Sequence, residues 1–309
     1  MSMKFFNYIE YLLKNILINF CLILISIFLI HFALGFNLVQ NFRIEYSFEY
    51  IGKILIFNYG NVKLNSQISV SAIFNPYFYT TFAILLTVLI LSLVIGFVIA
   101  YNLAKSNNKV FKTLNATLTF LSALPIFIIA PLLVIINKFL FLPSVYIDTF
   151  YGNLFNTILS LLTPILMLCL LVLPLIISIN YPIIYDIVKS EYYLWAKANG
   201  LSYKKIFWTI LIRNWLSKFI EKIVLIYSYL LTLILVIERF FYIPGQSFIF
   251  QYLKQEKYFN LLMYSILLNI VSIITIKSAS ELVIFIFDIN KKQRNIYLRR
   301  SKWIKNYSK

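Results

Sequence analysis

The sequence predicts an all-α membrane protein of six transmembrane helices, with both termini cytoplasmic and one charged loop projecting into the cytoplasm. Three observations carry this expectation. Of 309 residues 61% are hydrophobic, 18% aromatic and only 13% charged, with a mean hydropathy of +0.84, more apolar surface than a water-soluble domain of this length can bury. Several runs reach the roughly 20 helical residues that a hydrocarbon layer about 30 Å thick requires. Lys and Arg gather in alternate connections between those runs.

The runs are Ile16 to Phe36, Tyr77 to Leu103, Thr113 to Leu140, Phe155 to Ile179, Phe219 to Ile237 and Leu261 to Phe287. They divide the chain into a cytoplasmic segment 1–15, a first transmembrane helix 16–36 and an extracellular segment 37–76. A five-helix core 77–287 follows, with a cytoplasmic loop at about 181–218, and then a basic cytoplasmic tail 288–309. The first run is too long for a signal peptide and lacks a small-residue cleavage site, so it is expected to remain in the mature chain.

Orientation follows from the bias of basic residues toward short cytoplasmic loops. With the N-terminus inside, the cytoplasm receives 20 of the 28 Lys and Arg: Lys4 and Lys14, then Lys105, Lys109 and Lys112, seven between Lys189 and Lys222, and eight between Lys291 and Lys309. The opposite side holds Arg43, Lys53, Lys63, Lys254 and Lys257. The net charge of +17 thus belongs to membrane edges and anionic lipid, and no nucleic-acid partner is expected.

No catalytic, metal or cofactor-binding constellation is expected in this chain. Cys21 and Cys169 fall in apolar runs without metal-ligand spacing and read as small buried hydrophobes, and His31, the only histidine, reads as a helix-packing residue. The seven glycines form neither GxxxxGK[ST] nor GxGxxG, GxSxG is absent, and a single histidine excludes HExxH. The chain is therefore not expected to be an enzyme, and any ATP that drives it must be bound by another polypeptide.

The loop between the fourth and fifth spans carries the most information. Past Pro182, Asp186 to Ala198 is expected to be helical, and Asn199-Gly200 is a stop, because both residues tolerate the left-handed conformation at a helix C-terminus. Leu201 should pack back on the finished turn, and Ser202 should cap a second helix starting at Tyr203, with Lys204 and Lys205 facing solvent or a partner. Ala196, Ala198 and Gly200 keep the tip slim enough for another protein's backbone to approach.

Those residues resemble the EAA coupling loop of bacterial ABC-importer permeases, in the form of the B-type permeases of the dipeptide, oligopeptide and nickel uptake family, approximately YVxTARAKGL…LRNAL. Tyr193 to Leu201 (YLWAKANGL) matches the first half and Ile212 to Leu216 (IRNWL) the second, with Arg213 where other EAA members carry Pro. Tyr50 to Leu55 with Asn58-Tyr59-Gly60 is similar to WLGxLLxGDFG. Leu124-Pro125-Ile126-Phe127 and Leu142-Pro143-Ser144 are similar to IPSFW and LPxSG, and Val236 to Gly245 to VVExxFxxPG. Glu281 and Asp288 echo a terminal acidic pair. Departures are the short segment Asn37 to Pro76, which lacks a GLDxPL-like stretch, Ser247 for a second glycine, Leu194-Trp195 where Arg-Thr is common, and Ile289 for a proline.

The resemblance implies a type I ABC-importer permease fold in a bacterial plasma membrane. It implies half of a pathway for peptides or, as the alternative, for nickel or a metal chelate. Its implied partners are a C-type permease, two ABC ATPase subunits that bind the ATP, and an extracellular substrate-binding protein. Coupling to the ATPases would fall to Tyr193, Ala196, Ala198, Gly200 and Leu201, anchored by Arg213 and Asn214. Polar residues inside the spans are pathway candidates or interhelical hydrogen-bonding groups: Ser160, Thr163, Ser178 and Asn180 in the fourth, Asn269 and Ser272 in the sixth, beside Lys277 and Glu281. Glu238, Pro244 and Gly245 would lie toward the receptor. A channel or secondary carrier is the reading outside that family, but it would show paired repeats or broken helices around a midplane site.

Overall fold

The computed structural model describes residues 2–63, 67–105, 109–252 and 255–287. The tail 288–309, with Asp288 and Ile289, and Lys254 lie outside the described residues. Of the described residues 84% are helical, an all-α membrane fold. Where lipid is the solvent, a helix satisfies its own backbone donors and acceptors, and long apolar runs therefore become helices.

The first helix, α1 (Ser2–Leu38), leads to a short amphipathic helix α2 (Ile44–Leu55), a hairpin of β1 (Asn61–Lys63) on β2 (Gln67–Ser69), and α3 (Val70–Lys105). Segment 37–76, expected to be extracellular, holds the end of α1, a helix, a hairpin and the start of α3. After α4 (Lys109–Ala123) and α5 (Ile126–Phe139) comes α6 (Leu154–Lys189). The second half comprises α7 (Glu191–Ala198), α8 (Tyr203–Ile206), a π-helical stretch Phe207–Ile212, α9 (Arg213–Phe219), α10 (Ile223–Phe240) and α11 (Phe259–Phe287).

Two prolines behave differently from expectation. Thr113 to Leu140 is not one helix: α4 and α5 meet at 105° around Leu124-Pro125. Pro125 has no N–H and forces extended backbone on Leu124, and its carbonyl then accepts the N–H groups of Ile128 and Ile129 at 2.8 and 3.2 Å to start α5. Pro182, by contrast, lies inside α6, which runs on to Lys189. The break before the loop falls instead at Ser190, an extended residue.

Among the described residues five helices are long and apolar enough to cross a membrane, and the bent α4–α5 pair is the sixth candidate. Contacts along α6 show that the pair traverses. Near its start, Lys112, Asn115 and Thr119 face Ser178 and Tyr181 on α6, whereas Asn137 at its end accepts a hydrogen bond from Thr163 at 3.1 Å. Tyr146 N–H, beyond α5, reaches the Phe241 carbonyl at 2.8 Å, just past α10. Ends of the bundle therefore alternate: a basic end with Lys14, Lys105, Lys112 and 190–222, and a far end with α2, the hairpin, 140–153 and 241–252.

At the far end, Phe57, Phe141 and Tyr242 follow α2, α5 and α10 with φ of 57°, 55° and 52°. Left-handed backbone costs an L-residue about 1–2 kcal/mol, so glycine would be the cheaper cap, yet these rings are among the most exposed in the chain.

Helices α3 and α6 form the central pair, with Val88, Leu168, Val172 and Ile176 fully buried alongside Tyr227 and Leu230 of α10. At Gly96 a Cβ would lie 2.5 Å from Ile176 Cγ2. The first helix packs on α11, where Asn15 donates to Glu281 at 2.8 Å and Asn19 to Ser278 at 2.7 Å. Lys277 pairs with Glu281 at 3.8 Å. His31 is buried, hydrogen-bonded to Ser47 at 3.0 Å and stacked on Tyr50, the packing role expected. Cys169 is buried, but Cys21 lies on the exposed face of α1, contrary to expectation, because none of the described residues covers that face.

Gly96→Ala should lower the stability of the detergent-solubilised chain by about 1–3 kcal/mol, the usual cost of overpacking. Gly52→Ala is the matched control, since nothing lies within 4 Å of a Cβ there, and should leave the thermal midpoint equal or higher. Equal midpoints for both variants would show that α3 and α6 can separate without loss.

Candidate functional site

The loop at the basic end folds as a two-armed elbow. Its first arm, α7, ends in a double-bonded C-cap: Gly200 N–H donates to the Lys197 carbonyl at 3.1 Å and Leu201 N–H to that of Ala196 at 3.3 Å. Gly200 has φ +70° and open space where a Cβ would stand, so glycine is needed for the backbone angle and not for room. Ser202 precedes α8 with extended backbone but makes no side-chain cap hydrogen bond. Leu201 is exposed and does not pack back on the turn as expected.

The elbow has an inner and an outer face. Tyr193 and Ala196 are buried with Ile206 and Leu211 against Ala100 and Ala104 of α3 and Ile184 and Ile187 of α6. Burial, and then neighbouring Tyr203, raise the Tyr193 phenol above its ordinary pKa, which keeps it neutral in this seat. Their position follows from the spacing of three between 193 and 196, nearly one helical turn. Tyr193 and Ala196, expected on the contact surface, thus brace the elbow from within. Outward stand Tyr192, Leu194, Trp195, Ala198 and Gly200, with Trp195 69% exposed.

The second arm is clasped at two points. Trp215 Nε1 donates to Asn180 Oδ1 of α6 at 2.7 Å, and its ring lies 4.6 Å from Phe97 and 4.9 Å from Phe219. Nearer the tip, the hydroxyls of Tyr101 and Tyr203 are 2.7 Å apart and Lys105 Nζ lies 4.3 Å from the centre of the Tyr203 ring. Asn214 donates to the Ile210 carbonyl at 2.7 Å, satisfying an acceptor of the π-helical stretch, while Arg213 is exposed. The sequence reading missed Trp215, Tyr101 and Lys105. A signal existed: Phe97, Tyr101 and Lys105 recur at i, i+4 and i+8 on α3, and Trp215 and Phe219 at i, i+4.

Most pathway candidates are occupied within the fold. Asn180 holds Trp215, Ser160 accepts the Ile147 N–H at 3.2 Å, and Thr163 donates to Asn137. Ser272 accepts from Tyr227 at 3.0 Å and Asn269 donates to Gln246 at 2.8 Å. Ser178 faces an open space, a cleft of about 590 Å³ between α4 and α6 that it shares with Lys112, Asn115, Thr119 and Tyr181.

Glu238, expected toward the receptor, is only 1% exposed. Residues 241–247 fold back over it: Thr81 of α3 donates to one carboxylate oxygen, and Ser247 N–H to the other at 2.9 Å. Gly245 is buried against the same group, since a Cβ there would lie 2.1 Å from Glu238 Oε1. Pro244 is half-buried. Glu238 and Gly245 thus lock the far ends of α3 and α10 and present no surface. Arg239 turns instead onto the Phe248 ring, 5.5 Å from its centre.

A family model described as "Binding-protein-dependent transport system inner membrane component" matches residues 92–290, from the middle of α3 through the elbow and α11. No curated protein matches the chain.

Trp215→Phe keeps the ring and removes its donor, leaving a buried Asn180 whose Nδ2 already lacks a partner. The expected loss is about 1–3 kcal/mol, read as a lower thermal midpoint together with faster amide exchange at 203–219. Glu238→Ala should be at least as destabilising, since it leaves the Thr81 hydroxyl and Ser247 N–H without their shared acceptor, and thermal unfolding of the same preparation measures it.

Proposed function

The chain belongs to the family of binding-protein-dependent transport system inner membrane components, and from that premise we propose that it is the B-type permease subunit of an ATP-driven peptide importer in a bacterial plasma membrane. It pairs with a C-type permease to enclose the pathway, two ABC ATPase subunits dock on its basic, cytoplasmic end, and a substrate-binding protein delivers cargo at the far end.

The observation that carries this reading is the two-faced elbow. Its inner face is sealed to α3 and α6 through Tyr193, Ala196 and Trp215, and its outer face offers Leu194, Trp195, Ala198, Gly200 and Leu201 to a neighbour. A push on the outer face therefore moves α3 and α6 with it. When nucleotide closes the ATPase pair, that displacement biases the permease pair between its inward-open and outward-open states.

Arg213 and Asn214 stabilise the second arm, Asn214 through the carbonyl of Ile210. Cargo passes the cleft between α4 and α6, where Ser178, Asn115 and Thr119 supply neutral polar groups. The Arg213-Asn214 form of the loop resembles that of the B-type permeases of the dipeptide, oligopeptide and nickel family; peptides are the cargo proposed within it, and nickel or a metal chelate is the alternative that a transport assay separates.

Gly200→Glu and Trp195→Glu test the coupling surface in the assembled transporter. Both should leave the subunit inserted, lower uptake at least about tenfold, as expected for loss of an interface anchor, and abolish stimulation of ATP hydrolysis by loaded binding protein. Uptake at the wild-type rate in both variants would remove the elbow from the coupling path. For cargo, uptake of a labelled tripeptide should be competed by other short peptides and not by nickel or its chelates; the reverse pattern would assign the metal.

A further inference from the structure

The first ninety residues lie outside the family match, and there α1, α2 and the start of α11 enclose a cavity of about 210 Å³ at the far end of the bundle. Its walls include the rings of His31, Phe42, Tyr46, Tyr50 and Phe259, with the Glu49 carboxylate among them. These rings hold one another in place. His31 stacks on Tyr50 at 4.4 Å and meets Phe259 at 5.1 Å and Phe42 at 5.6 Å, while Tyr46 stands edge-on to Phe42 at 5.9 Å. A hydrogen bond of 3.0 Å between His31 and Ser47 fixes the imidazole. The cage is therefore formed before any ligand enters it.

Aromatic faces carry partial negative charge, and several of them converging beside a carboxylate make a receptor for an ammonium group. Glu49 is paired with Lys53 at 2.7 Å, but both side chains are about half exposed, and such i,i+4 surface pairs hold weakly. Lys53 also lines the cavity, so it can release Glu49 to a cation while meeting an anionic group on the same ligand.

We propose that this cavity binds an ammonium-bearing phosphate head group of the phosphoethanolamine type. Its lipid source is at hand: α2 turns Ile44, Phe48 and Leu55 outward on one stripe, the pattern of a helix lying in a membrane interface, which sets the cavity mouth at head-group level. A free phosphorylated amine has the same chemistry. The inference does not depend on cargo or coupling, and its failure would leave the transport reading intact.

The test uses the full chain in phosphatidylglycerol nanodiscs, titrated calorimetrically with phosphoethanolamine and with tetramethylammonium chloride. A second arm measures, by native mass spectrometry, retention of phosphatidylethanolamine after exchange from mixed-lipid discs. Glu49→Gln and Tyr46→Ala change partly exposed walls, and their thermal midpoints confirm folding. Wild-type binding should be saturable, and both variants should bind at least about tenfold more weakly, as expected for removing a carboxylate or a cation–π face. Retention of phosphatidylethanolamine by the wild type and its loss from Glu49→Gln identifies the lipid source. Binding of soluble phosphoethanolamine without lipid retention identifies the free amine. No binding in either arm, or variants equal to the wild type, would overturn the assignment.

Discussion

The close approach of α3 and α6 at Gly96 is the constraint from which the rest of the structure follows. Where Ile176 occupies the space a side chain would need, the two helices run together to the basic end, and their last turns form one platform. Ile99, Ala100 and Ala104 on one helix, with Ile184 and Ile187 on the other, are small or flat enough to seat the elbow. In lipid there is no hydrophobic force between apolar helices, so such contacts act through dispersion and geometry and depend on small residues at the crossing. A bulkier residue at 96 would alter the seat of the elbow, which begins one turn away at Ile99 and Ala100.

The helices were legible in the sequence because periodicity does not matter when the solvent is lipid: length and apolarity suffice. What could not be read was where a span stops being straight. Pro125 and Pro182 look alike in one dimension, yet only the first breaks its helix. Around Pro125 the carbonyl of that residue finds new donors in Ile128 and Ile129, so the 105° turn leaves few backbone groups unpaired. Around Pro182 the helix already lies on α3 and the elbow, and packing along both flanks outweighs one lost hydrogen bond. The elements of segment 37–76 were not legible for a different reason. Its helix α2 is amphipathic and short, and the hairpin strands have three residues each, below the length at which pattern separates from loop.

At the elbow, the Asn199-Gly200 stop was legible because backbone sign preference is local, and Gly200 indeed takes the left-handed angle. Which side of α7 faces inward was not, since an eight-residue helix with alanines on both faces has no clear apolar stripe. Glu238 was misplaced for want of non-local information. Its nearest donors are Thr81, 157 residues away, and a backbone N–H beyond a Pro-Gly turn. A charged residue at the end of an apolar run is ordinarily at the surface, and only the returning loop reverses that expectation.

The polar residues of the spans support one further step. Asn180, Ser160, Thr163, Asn269 and Ser272 each hold a defined partner, so they tie helices together, and breaking any one would orphan a buried group. A residue so engaged is a poor ligand for cargo, because binding would have to displace an internal hydrogen bond that lipid cannot replace. The polar groups of the cleft between α4 and α6 tie no helices together: Ser178 donates to the Leu175 carbonyl and Thr119 to that of Asn115, each within its own helix, and Lys112 lies toward the basic end. A passage lined in this way holds a polar solute weakly and without strong charge preference. Selectivity in the proposed importer then has to reside at the far end, in the protein that delivers the cargo, and the spans need only open and close.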